Sequence, residues 1–432
     1  MEVREPCGLE CLHLLSNCYL QMGLTISNPK YVPSIIDQIQ QRAMGLRIKY
    51  DGKNLVSGVP TPEVVKIPDS IKDLHSAATW MKENRGITKE TSLGTIGAND
   101  NFVIMNMCHC MADGKFATLL AEELSQDDIP NIKPLEGIPL DVSQYFKKQM
   151  SENKEVIPYC ATNPNISRFV SKVQNPVKSR FVNSKQFRFP LKDLVCYHNG
   201  KVNKFFEHQC MAAAISFAAM TNNKNNYYMG CSIPVNIRVC DEYNKQYLKN
   251  YFDNKFAHEK DYNRIEAYKK YAFANFVGEL DIFTKAYSSE KVSDVYKRLR
   301  ESYNKNYSDG YHFKFLSLMN RLQSDTSIAT EFPDGGGIEL SMIGKMKVGG
   351  RIKDLVLDSI VDGDLMSKWL AFVTYSLETD KEKYFSGFFN YMAGDASHEE
   401  AERIVKGFTF SLQNIEPNTK IGDAIEYVRK HI

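Results

Sequence analysis

The sequence has almost no charge imbalance: 54 Lys and Arg stand against 52 Asp and Glu, a formal net charge of +2 over 432 residues. No run of like charges gathers on one segment, which excludes the basic footprint of a nucleic-acid binder. Long apolar runs are missing too. The longest nearly apolar stretch, Cys210 to Met220, is about half a bilayer span. The first residues, Met1-Glu2-Val3-Arg4-Glu5, lack the basic head and apolar core of a secretory leader, so neither integral membrane association nor secretion is expected. No segment repeats at a fixed period, which excludes a solenoid or propeller. With 43% hydrophobic residues the chain is neither disordered nor fibrous. At roughly 150 residues per domain its length predicts two or three units, and two lobes are expected.

Several familiar chemistries are also absent. None of the Gly-Lys pairs is followed by Ser or Thr, so there is no phosphate-binding P-loop. Gly335-Gly336-Gly337 runs into Ile338-Glu339-Leu340 and lacks the third glycine of a dinucleotide fingerprint. Neither Gly-x-Ser-x-Gly nor His-Glu-x-x-His occurs. Cys108-His109-Cys110 has metal-binding residue types, but in a strand residues 108 and 110 face one way and 109 the other, so no metal site is expected. The 10 cysteines have no regular spacing and several sit in apolar stretches, which points to reduced thiols and a cytoplasmic protein.

What is present centres on one segment. Asn101 to Cys108 reads as a strand, His109-Cys110-Met111-Ala112-Asp113-Gly114 follows, and Lys115 to Ser125 turns to helical periodicity with Phe116, Leu119, Leu120 and Leu124 on one face. A strand that ends at a histidine, then a glycine turn, then a helix, projects a side chain from a rigid edge into a cleft. Imidazole, with an ordinary pKa near ~6.5, suits a general base at cell pH. Asp113 would hold the loop, by backbone hydrogen bonds or an arginine partner, without touching substrate. Gly114 would allow a tight exit from the motif. The same residues also fit a partly buried histidine ahead of an ordinary Asp-Gly turn.

His109 to Gly114 resembles the His-x-x-x-Asp-Gly signature of the CoA-dependent acyltransferase superfamily, which includes chloramphenicol acetyltransferase, plant BAHD enzymes, alcohol acetyltransferases and the condensation domains of nonribosomal peptide synthetases. Other stretches follow in the family's order. Ser34 to Arg47, ending in Gly45-Leu46-Arg47 before Ile48 to Tyr50, resembles its opening helix and next strand. Gln209 to Met220 resembles its alanine-rich helix, and Ser232 to Arg238 its "V-P-V-D-L-R" strand. Tyr251-Phe252-Asp253-Asn254 is similar to its "Y-x-G-N" turn, and Ile338 to Gly344 to its "S-N-x-G" strand. Lys383 to Phe389 reads as a closing strand, and Ser397 with Glu400 as a capping box ahead of a helix to Leu412. Departures stand beside these. Cys108 replaces the first histidine common in condensation domains, Met342 replaces an Asn, Asp253 replaces a Gly, and the plant "D-F-G-W-G" string is missing.

The resemblance implies an α/β (α+β) fold of two chloramphenicol-acetyltransferase-like lobes, each a mainly antiparallel or mixed sheet with helices. Residues 1–175 would form the N-terminal lobe and 176–432 the C-terminal lobe, with an active-site tunnel between them. It implies transfer of an acyl group from acyl-CoA, as co-substrate, to a hydroxyl or amine of a small molecule, with no permanently bound cofactor. His109 would be the general base, Arg238 the partner of Asp113, and Ser341 a donor to the oxyanion or to pantetheine. Lys345 and Lys347, with Arg351 and Lys353, would form a cluster that meets the CoA phosphates. The alternatives are a free-standing condensation-type domain that uses a carrier-protein thioester, and a catalytically silent binding protein on the same scaffold.

Overall fold

The computed structural model describes residues 1–126, 134–153, 163–172, 183–221, 226–240, 274–324, 335–361, 369–392 and 394–432. The expected lobe boundary at 175/176 and the turn Tyr251 to Asn254 lie outside these residues.

Two sheets carry the molecule. The first has 5 strands in the order Ile352–Val361, Cys18–Ile26, Phe102–Cys108, Gly94–Ala98 and Val65–Lys66. Its pairs are antiparallel except the last. The second has 7 strands; its path runs Val277–Tyr287, Asn226–Asn236, Gly336–Lys347, Trp369–Glu378, Lys383–Tyr391 and Asn183–Pro190, with Arg168–Phe169 paired to the start of Gly336–Lys347. This sheet is mixed, because Gly336–Lys347 runs parallel to both of its principal neighbours. A large core packs around each sheet. Ile352–Val361 belongs by sequence to the later part of the chain, yet it pairs along Cys18–Ile26 and completes the first sheet.

Sequence explains the elements that matter here. All seven residues of Phe102–Cys108 are buried, because this strand is central and covered on both faces, so it reads as a continuous apolar run. The one amide in it, Asn106, is satisfied by Gln21 Nε2, which donates to its Oδ1 at 2.9 Å. The helix Phe205–Met220 is buried from Glu207 through Phe217, as expected of a helix apolar on every side, and packs between the second sheet and the helices His398–Asn414 and Ile421–Arg429. Ser397 caps His398–Asn414: Glu400 N–H donates to Ser397 Oγ at 3.1 Å, and Ser397 N–H to the Glu400 carboxylate at 2.9 Å.

Two local expectations are corrected. The helix expected from Ser34 to Arg47 spans Val32–Arg42, and the remainder is a separate 3-10 turn, Met44–Arg47. Ala43, at φ −84° and ψ 86°, has left helical geometry and breaks the run. The strand expected to carry Arg238 ends at Asn236, and Arg238 lies in the following turn Ile237–Cys240.

Candidate active site between the sheets

His109 follows the last residue of the central strand, and its N–H makes the final rung of the ladder to Cys18 O at 2.8 Å. The chain then turns, and Asp113 caps the helix Gly114–Leu124 by accepting Phe116 N–H on Oδ1 at 2.9 Å. Its other oxygen accepts Arg238 Nη1 at 2.6 Å and Phe276 N–H at 2.9 Å. Arg238 in turn donates Nη2 to Ala274 O at 2.5 Å, and the Phe276 ring lies 5.2 Å from its guanidinium carbon. The Asp113 and Arg238 side chains are 2% and 0% exposed, and the ion pair is buried at the wall of the His109 cavity, which Asp113 lines. The pair joins the loop of the first sheet to a turn that leaves the second.

Asn275 closes the same junction. Its Nδ2 donates to His109 O at 2.8 Å. Nothing in the sequence singled it out, because its partner is a main-chain carbonyl distant along the chain. Behind the motif, the buried Arg42–Glu123 ion pair ties the helix Val32–Arg42 to Gly114–Leu124.

The His109 ring is half-buried and faces a cavity of about 190 Å³. No described residue hydrogen-bonds its side chain. Nδ1 is enclosed, which leaves Nε2 as the edge that meets the cavity. Burial draws its pKa below the ordinary imidazole value, against the opposing pull of its own carbonyl and the Asp113 carboxylate. The ring is therefore neutral near pH 7 and can accept a proton. Against its face lies His13, from the helix Gly8–Leu15, with centroids 4.4 Å apart. Sequence reading missed His13 because no motif surrounds it.

The far wall comes from a break in the second sheet. Asn226–Asn236 and Gly336–Lys347 pair at the single register Ser232 with Glu339 and then part. Pro234 carries no N–H for a ladder, and the register of Gly336–Lys347 slips between Met342 and Gly344, where Gly344 adopts φ +96°. Pro234, Val235 and Met342, at this break, line both the His109 cavity and a second cavity of about 460 Å³. Gly114 sits where a Cβ would run into Ile343 Cδ1. Its backbone conformation does not require glycine, and the only atoms a Cβ would meet belong to the Ile343 side chain, whose end can shift aside.

Of the other expected site residues, Ser341 lines the His109 cavity. Lys345 lines the second cavity and is ion-paired to Glu378 at 2.7 Å, and Lys347 is exposed two residues further on. Arg351 does not join them. It is 3% exposed and turned inward, where Nε and Nη2 donate to Leu124 O at 3.1 and 2.8 Å and Nη2 to Gln38 Oε1 at 2.6 Å, so it serves the end of the motif helix. Among the described residues no group of three His, Cys, Asp or Glu is arranged to hold a metal ion, and no helix is long and apolar enough to cross a membrane.

No sequence family and no curated protein sequence matches the chain. Solved structures do. The starter condensation domain of rhizomide synthetase, in a doubly substituted form bound to C8-CoA and Leu-SNAC, aligns over 97% of this chain and 96% of its own, with a TM-score of 0.62 and 11% identity. The epimerization domain from the third module of tyrocidine synthetase B aligns over 100% and 98%, at TM-score 0.58 and 12% identity. The X-domain from teicoplanin biosynthesis aligns over 97% and 96%, at 0.55 and 11%. At these identities the likeness is one of fold. The chain has the two-lobed, chloramphenicol-acetyltransferase-like fold of condensation domains.

Proposed function

We propose that the protein is a cytoplasmic acyltransferase that moves an acyl group from acyl-CoA to a hydroxyl or amine of a small molecule, with His109 as general base. The observation that carries this reading is the His109 ring, open at Nε2 to a cavity between the sheets, on a loop clamped by Asp113 and Arg238. Fold alone would not decide it, since the neighbours include an epimerization domain. Support for the donor comes from the rhizomide synthetase domain, which was solved with C8-CoA. The nine described cysteines are all free, which supports a reducing compartment.

In the proposed reaction the acceptor's oxygen or nitrogen attacks the thioester carbonyl while Nε2 takes its proton. The tetrahedral adduct then collapses, the C–S bond breaks, and the imidazolium returns that proton to the departing sulfur. Ser341 is our candidate donor to the oxyanion. Lys345 and Lys347 are the candidates for the CoA phosphates, and Lys345 would exchange Glu378 for phosphate on binding. Asp113 and Arg238 act as positioning residues.

A second reading, with a carrier-protein thioester as donor, is favoured by the condensation-type identity of the neighbours. Thiol release from acetyl-, butyryl- and octanoyl-CoA, and from an acylated carrier protein, with a panel of alcohols and amines, separates the two. We expect acceptor-dependent release from CoA that falls about 10²- to 10⁴-fold in His109→Ala at unchanged Tm. The wild-type rate should climb with pH through a pKa below 6.5 and then level off, because the base works deprotonated. Release from the carrier alone selects the second reading, and none from either donor refutes both.

A further inference from the structure

Apart from Lys345, nothing that lines the second cavity enters the mechanism above. This cavity lies on the other face of the second sheet. Side chains alternate along a strand, and on Trp369–Glu378 Val373 lines the His109 cavity whereas Thr374 and Ser376 line the second one. The helices Phe205–Met220 and Val292–Ser308 supply its opposite wall. At about 460 Å³ it falls within the usual span of small-molecule sites, roughly 300–1,000 Å³.

Two side chains in it hold donors that the fold does not use. Gln209 is 3% exposed, and Thr374 Oγ1 donates to its Oε1 at 2.8 Å, which fixes the amide and leaves Nε2 as its free end. No described residue accepts from Nε2, and the atom is not enclosed, so it opens on the cavity that Gln209 lines. Arg300 reaches the same space from Val292–Ser308. Its guanidinium carbon stands 4.5 Å from the centre of the Phe206 ring and 5.5 Å from that of Tyr303, and its Nε donates to Glu207 Oε1 at 2.6 Å. Stack and ion pair hold the group by its face and its Nε edge. Among the described residues neither Nη1 nor Nη2 has a partner, so the fork is oriented and unfilled. Phe206 and Gln209 are three apart on one helix, so the amide lies one turn from the ring that Arg300 covers. The walls around these donors are aromatic: Phe205 meets Phe385 edge-on and Phe206 meets Tyr303 edge-on, both at 5.2 Å.

We propose that this cavity is a second small-molecule site and that it takes an aromatic carboxylate, with the ring among the aromatic walls and the carboxylate on the Arg300 fork and Gln209 Nε2. A carboxylate presents two oxygens in one plane to the planar fork and has lone pairs left for the amide. A phosphate matches the charge less well. Arg300 already faces Glu207 and Lys345 already faces Glu378, so the wall has no surplus of positive charge, and one added negative charge is easier to seat than two. The site stands apart from the acyl donor and acceptor proposed above, although Pro234, Val235 and Met342 wall both cavities.

The test is calorimetric titration of the full chain with 3-phenylpropionate and with its neutral isostere 3-phenylpropanamide. The proteins are wild type, Arg300→Lys, Gln209→Leu and Ser376→Leu, each with its Tm measured. Arg300→Lys keeps a charge for Glu207 but loses the planar fork, and Ser376→Leu fills the cavity from the strand without touching that ion pair. We expect wild type to bind the acid about tenfold or more tighter than the amide, and Arg300→Lys to remove that advantage. Gln209→Leu and Ser376→Leu should each weaken the acid severalfold. These residues line the second cavity and not the first, so their effects locate the ligand. Equal affinity for acid and amide overturns the proposal, as does acid affinity unchanged in Arg300→Lys or in Ser376→Leu, or no heat from the acid at millimolar concentration. Binding of CoA but not of the acid, weakened in Arg300→Lys, would make this a phosphate site and overturn it too.

Discussion

Asp113 accepts three hydrogen bonds from protein groups, and that fixes what its removal should do. Oδ1 caps a helix, while Oδ2 receives a guanidinium and a backbone amide in a place that water does not reach. A helix cap alone is worth about 1 kcal/mol. Breaking a buried ion pair from one side costs about 3–5 kcal/mol, because the other charge is left enclosed and alone. Asp113→Ala should therefore lose about 3–5 kcal/mol in urea denaturation, and Asp113→Asn less, since its amide oxygen can still cap. The double variant Asp113→Ala/Arg238→Met should be more stable than Asp113→Ala, and the reverse order would show that the pair is not what holds the junction. His109, whose ring makes no hydrogen bond, should be replaceable at little cost in stability. The residues legible in sequence are those whose partners are near: Asp113 and Gly114 frame a local turn and a local cap. His13 and Asn275 stayed hidden because their partners lie far along the chain and include a ring face and a carbonyl, neither of which leaves a spacing to read.

Elements were legible where periodicity or capping decides them. The strand Phe102–Cys108, the helix Gly114–Leu124 and the capped helix His398–Asn414 all follow from pattern and end chemistry. Pattern says nothing of where an element docks, so the inward turn of Arg351 and the migration of Ile352–Val361 into the first sheet could not be read from it. The helix Gly8–Leu15 tests this distinction. By intrinsic propensity, Gly8→Ala should stabilise, since alanine favours helix over glycine by about 1 kcal/mol. By packing it should destabilise, because the new Cβ meets the immobile backbone of Met319 and the helix must back away. Overpacking typically costs about 1–3 kcal/mol. We expect Tm to fall and acyl transfer to weaken with it, as His13 shifts against His109. A rise in Tm would mean that the two helices are not seated as described.

At the scale of the molecule, the buried ionisable groups set how the protein answers acid. Burial lowers the pKa of His13, His109, His208 and His312, the last to about 4. His13 and His109 line the site. His208 is fixed in the second core between Tyr296 Oη at 2.6 Å and Leu412 O at 3.0 Å, and His312 stacks on Tyr307 with centroids 4.9 Å apart. Below their ordinary pKa of about 6.5, the unfolded chain binds protons at these positions and the native one does not, so stability falls with falling pH. Two buried carboxyls act the other way. Asp281 and Asp358 have raised pKa values, Asp358 to about 6, so the native state holds protons there that the unfolded state has released. Four histidines outweigh two carboxyls, so the balance between pH ~6.5 and ~5 favours the unfolded chain as the pH falls. Unfolding free energy from urea titrations should accordingly drop from pH 7 to pH 5. His312→Phe, which keeps an aromatic ring in that stack but takes up no proton when unfolded, should flatten the slope. Stability that holds level or rises toward pH 5 would mean that the native state takes protons onto these rings, and that the cavity around His109 and His13 is wetter than its walls imply.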